Sequence, residues 1–256
     1  MRFQGSGRPL TRDGFYTALG SLRIGPAELW AVLTAESGGF GFTADRRPQL
    51  HFDATLFHTL TDGQWSASSH DLCEGTDVTN HGSAGDYRAF DAALDLDEEA
   101  AIASASWGIG GIAGFHATSI GFKSPFTMVA EMISAEDAQV RALTRRIAVA
   151  CADDFLRDHD WTAFARRFKR RAARHDEFAD RLESAYRRAT RVLPDLTIRA
   201  AQAALLYAGF DPGPIDGIIG PRTLTALSEY SRVPRPLRGL FVGAGTLLRQ
   251  TAVTKS

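Results

Sequence analysis

Glu36 stands at the inner end of an apolar helical run, WAVLTAESGGFGF, just before a pair of glycines. Leu29, Trp30, Val32 and Leu33 precede it, so the residues three and four positions back on its face are apolar. The last turn of a helix also disfavours a negative charge. Burial and the helix dipole both push such a carboxyl's pKa upward. A carboxylic acid that keeps its proton near neutral pH is what general-acid chemistry needs, glycoside hydrolysis in particular. Glycosidases pair the acid with a second carboxylate across a cleft, and Asp53 or Asp45 could supply it.

Other patterns with chemical associations fail on context. GIGGIAG, residues 108 to 114, has dinucleotide-loop spacing, but an acidic helical segment precedes it rather than the strand of a βαβ unit. Asp211 and Asp216 lie beside glycines without the calcium-loop ligand order. The seven histidines lack the i, i+4 pairing of a zinc helix. Cys73 and Cys151 match no metal or redox spacing and read as unrelated thiols. Neither a metal nor another cofactor is expected.

Positioning Glu36 requires helices. Pro26 suits a first helical position and Gly38-Gly39 a stop, which predicts a helix over Pro26 to Ser37. LDLDEEAAIASASW opens with acids and predicts a helix ending at Trp107-Gly108. Ser134 and Asp137 have capping-box-like spacing before an amphipathic helix. Two more helices are predicted, Trp161 to Ala172 and Asp176 to Arg191, while QWSASSHDLCEGTDVTNHGSAGDY reads as an irregular loop. RRFKRRAARH is a solvated helix face or a surface for an acidic polymer. After Pro194 come a helix, a turn-rich loop and a second helix, and from Pro234 a tail or an added short helix.

With 256 residues, 44% hydrophobic and 23% charged, the chain has room for one large domain and one small one. A formal net charge of −1 gives no general attraction to nucleic acid or an anionic membrane. No run approaches the ~18 apolar residues of a membrane span, so no stable membrane insertion is expected. The N-terminus has no apolar core of signal-peptide length, which predicts cytoplasmic synthesis and release by another route.

AESGG, PQLHFDATLF, SASWGIGGIAGF, EMISAEDAQVRAL and DWTAFARRF, in this order, resemble the phage-type N-acetylmuramidases of modular endolysins, from about Leu10 to Ala189. IRAAQAALLYAGFDPGPIDGIIGPRTLTALSEY resembles the small three-helix peptidoglycan-binding domain. The resemblance implies a mainly α protein: a lysozyme-like catalytic domain over residues 1–192, a peptidoglycan-binding domain over 195–233 and a tail over 234–256. It implies hydrolysis of the β-1,4 bond between N-acetylmuramic acid and N-acetylglucosamine, with Glu36 and Asp53 catalytic and Ser106, Trp107, Gly111 and Phe168 near the sugar. Peptidoglycan is the implied partner, reached through a holin-type pore or a secretion machine. The sequence departs from the family pattern where Asp53 follows Phe52, where Gly111 replaces a Gln, and where Phe168, Lys169, Arg170 and Arg171 replace a Tyr-Asn-Gly-Pro turn. A lytic transglycosylase using Glu36 alone and a binding protein without activity are the competing readings.

Overall fold

The computed structural model describes residues 2–65, 84–169 and 175–233. Twelve helices are present in these residues, with one small sheet among them. Helix α1 (Arg12–Leu22) starts at Thr11, whose side chain accepts from the Gly14 N–H, and α2 (Pro26–Ser37) starts after Gly25 with Pro26 in its first turn. Strand β1 (Leu50–Phe52) runs into α3 (Ala54–Leu60). Helices α4 (Ala84–Leu96) and α5 (Glu98–Ser104) lead to strands β2 (Ala105–Trp107) and β3 (Ile112–Ala113). Then come α6 (Pro125–Met132), α7 (Glu136–Val149), α8 (Asp153–Arg157), α9 (Trp161–Phe168) and α10 (His175–Arg191). The chain closes with α11 (Leu196–Tyr207) and α12 (Pro221–Arg232).

Helix α2 is the spine. Leu29, Ala31, Val32 and Leu33 are wholly buried, and α10 packs along its length. A helix apolar on nearly every side has to be enclosed by its neighbours, which is what α10 and the main core achieve. The predicted limits of α2 are those observed. Its C-cap Gly38 adopts φ 71° and returns its N–H to the last turn, a conformation that suits glycine.

Three expectations change. The helix expected to reach Trp107 ends at Ser104, because Ala105–Trp107 pairs antiparallel with Leu50–Phe52, with Leu50 opposite Trp107 and His51 opposite Ser106. Ladder pairing and burial of alternate side chains override the local helical pattern. The capping box at Ser134 and Asp137 is absent: Ala135 holds the cap position of α7, and Asp137 accepts from the Thr11 N–H and hydroxyl, each at 2.8 Å. Helix α9 stops at Phe168, short of Ala172. The loop expected over residues 66–83, the residues after Lys169 in RRFKRRAARH up to 174, and the tail from 234 lie outside the described residues.

Beyond Pro194 the described residues contain two helices. Gln202 organises the turn between them: its amide donates to the Ile218 carbonyl (3.0 Å) and the Thr223 hydroxyl (3.2 Å), and its oxygen accepts from the Gly217 N–H (2.8 Å). A Cβ at Gly217 would meet the Asp195 backbone at 2.7 Å, which accounts for the glycine of the Asp-Gly-Ile-Ile-Gly-Pro turn. This unit does not hang free. Ala203 and Ile215 pack with Phe40 and Phe42, and the Tyr207 hydroxyl donates to the Gly7 carbonyl at 2.7 Å. Arg199, fully buried, reaches Glu136, also fully buried, and donates through Nε to the Gly39 carbonyl at 3.0 Å.

Candidate active site

A cleft of about 160 Å³ lies where the C-terminal end of α2 meets the three-stranded sheet and the α9–α10 corner. Its lining includes Glu36, His51, Asp53, Ser106, Gly111, Phe168 and Lys169, with Arg146 and Arg181.

The sheet decides which side chains reach the cleft. Successive strand residues point to opposite faces. In β1 and β2 the central residues His51 and Ser106 are half-buried and line the cleft, while Leu50, Phe52, Ala105 and Trp107 point into the core. Trp107 therefore does not line the cleft: its ring is wholly buried between Phe3 and Phe90, and its indole N–H donates to the Ile102 carbonyl. The Ser106–Trp107 pair divides by period two, one residue to each face.

Glu36 is buried, with 4% of its surface exposed. Its Oε2 accepts from Lys169 Nζ at 2.6 Å, while Oε1 is buried without a hydrogen-bond partner among the described residues. Burial raises the carboxyl above its ordinary range, and the charges of Lys169 and Arg181 hold that rise in check. The upward direction expected from the sequence is present, with burial as its main cause. Its cationic partner is the part sequence reasoning missed.

Asp53 follows β1 directly and caps α3, accepting from the Leu56 N–H at 3.0 Å while lining the cleft. Asp45, the alternative carboxylate, lies outside the cleft lining. Partial burial works against its ionised form, but the Thr43 hydroxyl and Arg47, 2.7 Å away, hold its pKa below the usual carboxylate range. Phe168, at the end of α9, stacks on Phe164 with ring centroids 5.1 Å apart and presents its exposed remainder to the cleft.

Gly111 closes the turn between β2 and β3 at φ 55°, facing Glu36. A Cβ there would lie 2.6 Å from Glu36 Oε2. A side chain at this position would displace the Glu36 carboxyl and be strained at this left-handed φ, which favours glycine over the Gln of the family pattern.

Behind the cleft, buried Gln139 of α7 accepts from the Ile109 N–H at 2.8 Å and donates to the Met132 carbonyl at 3.1 Å, fixing the β2–β3 turn. Glu136 accepts from the Gly41 N–H at 2.7 Å, just after the glycines that end α2. The readable signal was positional: Glu136 and Gln139 share the helical face of Val140, Leu143 and Ile147, where buried polar groups require partners.

Among the described residues no group of three His, Cys, Asp or Glu side chains could hold a metal ion, and no helix is long and apolar enough to cross a membrane.

The crystal structure of the Burkholderia AP3 phage endolysin is similar over 72% of this chain and 72% of that one, with a TM-score of 0.59 and 25% identity. No curated protein sequence matches. The model of the family described as N-acetylmuramidase matches residues 25–190, which span the acid-bearing helix, the sheet and the α9–α10 corner. A match over well over half of the sequence, joined to a buried carboxyl in a cleft of lysozyme type, means that this chain belongs to the N-acetylmuramidase family and is a peptidoglycan hydrolase.

Proposed function

We propose that Glu36 is the general acid of this hydrolase, protonating the glycosidic oxygen between N-acetylmuramic acid and N-acetylglucosamine. The observation that carries this is a carboxyl 4% exposed, raised in pKa by burial, with Oε1 at the cleft wall unpartnered among the described residues. Asp53 is the second carboxylate, stabilising positive charge at the anomeric carbon or activating water. Ser106, Gly111 and Phe168 border the sugar, Gly111 by leaving room and Phe168 by offering an aromatic face.

One observation favours a second reading. An oxygen of Asp53 is already engaged in capping α3. A lytic transglycosylase needs no water-activating carboxylate, because the muramyl 6-hydroxyl closes the ring, with Glu36 serving as acid and base. Digestion of purified peptidoglycan by the wild type and Asp53→Asn separates the two, since Asn retains the cap. Reducing muramic-acid ends, and a rate at least ~10-fold lower in Asp53→Asn, are expected. Anhydro-muramyl ends with an undiminished variant would move the protein to the transglycosylases.

Lys169 sets the working pH. Its charge lowers the Glu36 pKa against the effect of burial. In Lys169→Met that opposition is lost, the pKa rises further, and the acid keeps its proton to higher pH. The alkaline limb of the kcat/KM profile is expected to move to higher pH in Lys169→Met. An unmoved limb would mean that Glu36 is not the acid it reports.

Residues 195–233 are proposed to grip the wall polymer, raising the local concentration of the catalytic domain at an insoluble substrate. Release through a holin-type pore or delivery by a secretion machine would bring the enzyme to the cell wall.

A further inference from the structure

The cleft holds more positive charge than the proposed chemistry uses. Arg146 comes from α7, Lys169 from the end of α9 and Arg181 from α10, and all three line the same cavity. Three separate elements bring them together, so the cluster is not one helix face of solvated charges.

Aromatic rings hold all three cations, and of the three only Lys169 is paired, among the described residues, with a carboxyl of the cleft. Arg146 Cζ lies 5.3 Å from the centroid of the Phe168 ring, and Lys169 Nζ and Arg181 Cζ lie 4.5 and 5.6 Å from that of Phe178. Aromatic faces attract cations while leaving their charge and donors in place. Arg146 donates to the Phe168 carbonyl at 3.3 Å and forms no ion pair with a carboxylate among the described residues. Arg181 has one distant carboxylate, Glu177 at 3.9 Å on the solvent side, and its Nε is buried without a hydrogen-bond partner among the described residues. Lys169 pairs with Glu36, the group assigned to protonate the substrate.

We propose that Arg146, Lys169 and Arg181 form a recognition site for a carboxylate carried by the muramyl residue of the glycan. This rests on the muramidase reading and adds a specificity determinant to it. The muramyl residue differs from N-acetylglucosamine by its lactyl ether, whose carboxylate is free in glycan stripped of peptide. In intact wall that carboxylate is amide-linked to a stem peptide bearing carboxylates of its own. Guanidinium groups suit either source, since their planar donors match a carboxylate's two oxygens. Neutral chitin fragments offer the site nothing.

The test uses the full chain and the disaccharide N-acetylglucosaminyl-N-acetylmuramic acid, which lacks the bond a muramidase cleaves. Calorimetric titration compares the free acid, its lactyl methylamide and the disaccharide carrying a stem tetrapeptide. At low salt the free acid is expected to bind about tenfold more tightly than the methylamide. In Arg181→Gln, whose side chain is 41% exposed, that ratio is expected to fall towards one. Preference for the tetrapeptide form alone, lost in the same variant, would assign the site to stem-peptide carboxylates. Equal binding of all three forms, no measurable binding of either acidic form, or discrimination that survives Arg181→Gln would each overturn the proposal. Release of muramyl reducing ends from peptidoglycan by the same preparation is scored separately, so failure of the hydrolase reading is distinguishable from failure of the carboxylate site.

Discussion

Glu36→Gln is expected to lower the rate of glycan cleavage by about 10²–10⁴-fold while leaving wall binding in place. The amide is nearly isosteric and accepts a hydrogen bond from Lys169 as the carboxylate does, but it has no proton to give the leaving oxygen. Loss of activity through misfolding is separable by stability. A carboxyl whose folded-state pKa is raised above its unfolded value costs stability once pH exceeds the unfolded value, because ionisation is easier in the open chain. Removing the ionisable group removes that cost. The melting temperature of Glu36→Gln at neutral pH is therefore expected to be no lower than that of the wild type. Release of reducing ends from peptidoglycan, followed by mass spectrometry, measures the rate, and a variant of near wild-type activity would sink the assignment.

Arg199→Met is expected to destabilise the fold by about 3–5 kcal/mol, the usual consequence of stripping one partner from a buried ion pair. Both partners are fully buried, with Arg199 and Glu136 within 2.6 Å of each other. The guanidinium also lies between the rings of Trp30 and Phe40, with Cζ 5.5 and 5.2 Å from their centroids. Without it, Glu136 keeps the Leu10 and Gly41 N–H groups, each at 2.7 Å, but has no counter-charge in a site closed to water. Urea midpoints of Arg199→Met, Glu136→Gln and the double variant measure the coupling, and the double variant should recover part of the loss. A shift under about 1 kcal/mol in the single variant would show the pair to be dispensable. Activity should fall with stability, because Arg199 and Glu136 hold Gly39 and Gly41 immediately after the helix that carries Glu36.

This arrangement changes what the C-terminal unit is. A tethered anchor could be cut away with little effect on the catalytic domain, whereas here α11 supplies a cation to that domain's interior. A fragment ending at residue 192 would leave Glu136 without Arg199 and uncover Phe40 and Phe42. The wall-binding role proposed for residues 195–233 has to be tested in the full chain.

The sequence by itself determined the acid-bearing helix, the mainly helical class and the family. Those depend on local features: Pro26 and Gly38-Gly39 bound a helix wherever it packs, and Glu36 behind three apolar turns is a buried carboxyl wherever that helix is enclosed. Only the tertiary structure decided the rest of the site. Strand pairing turned Ser106 to the cleft and Trp107 to the core, a choice of face that follows from a partner about 55 residues away and that no helical reading of SASW contains. Lys169, 133 positions from Glu36, became its ion-pair partner because α9 ends beside α2, while Asp45 was drawn off by Arg47 next to it. Arg199 acquires its buried partner only through packing, which sets Glu136 of α7 opposite it. Sequence periodicity records which face of an element is apolar. Which distant charge meets it is settled by packing, where a buried ion survives only beside its partner.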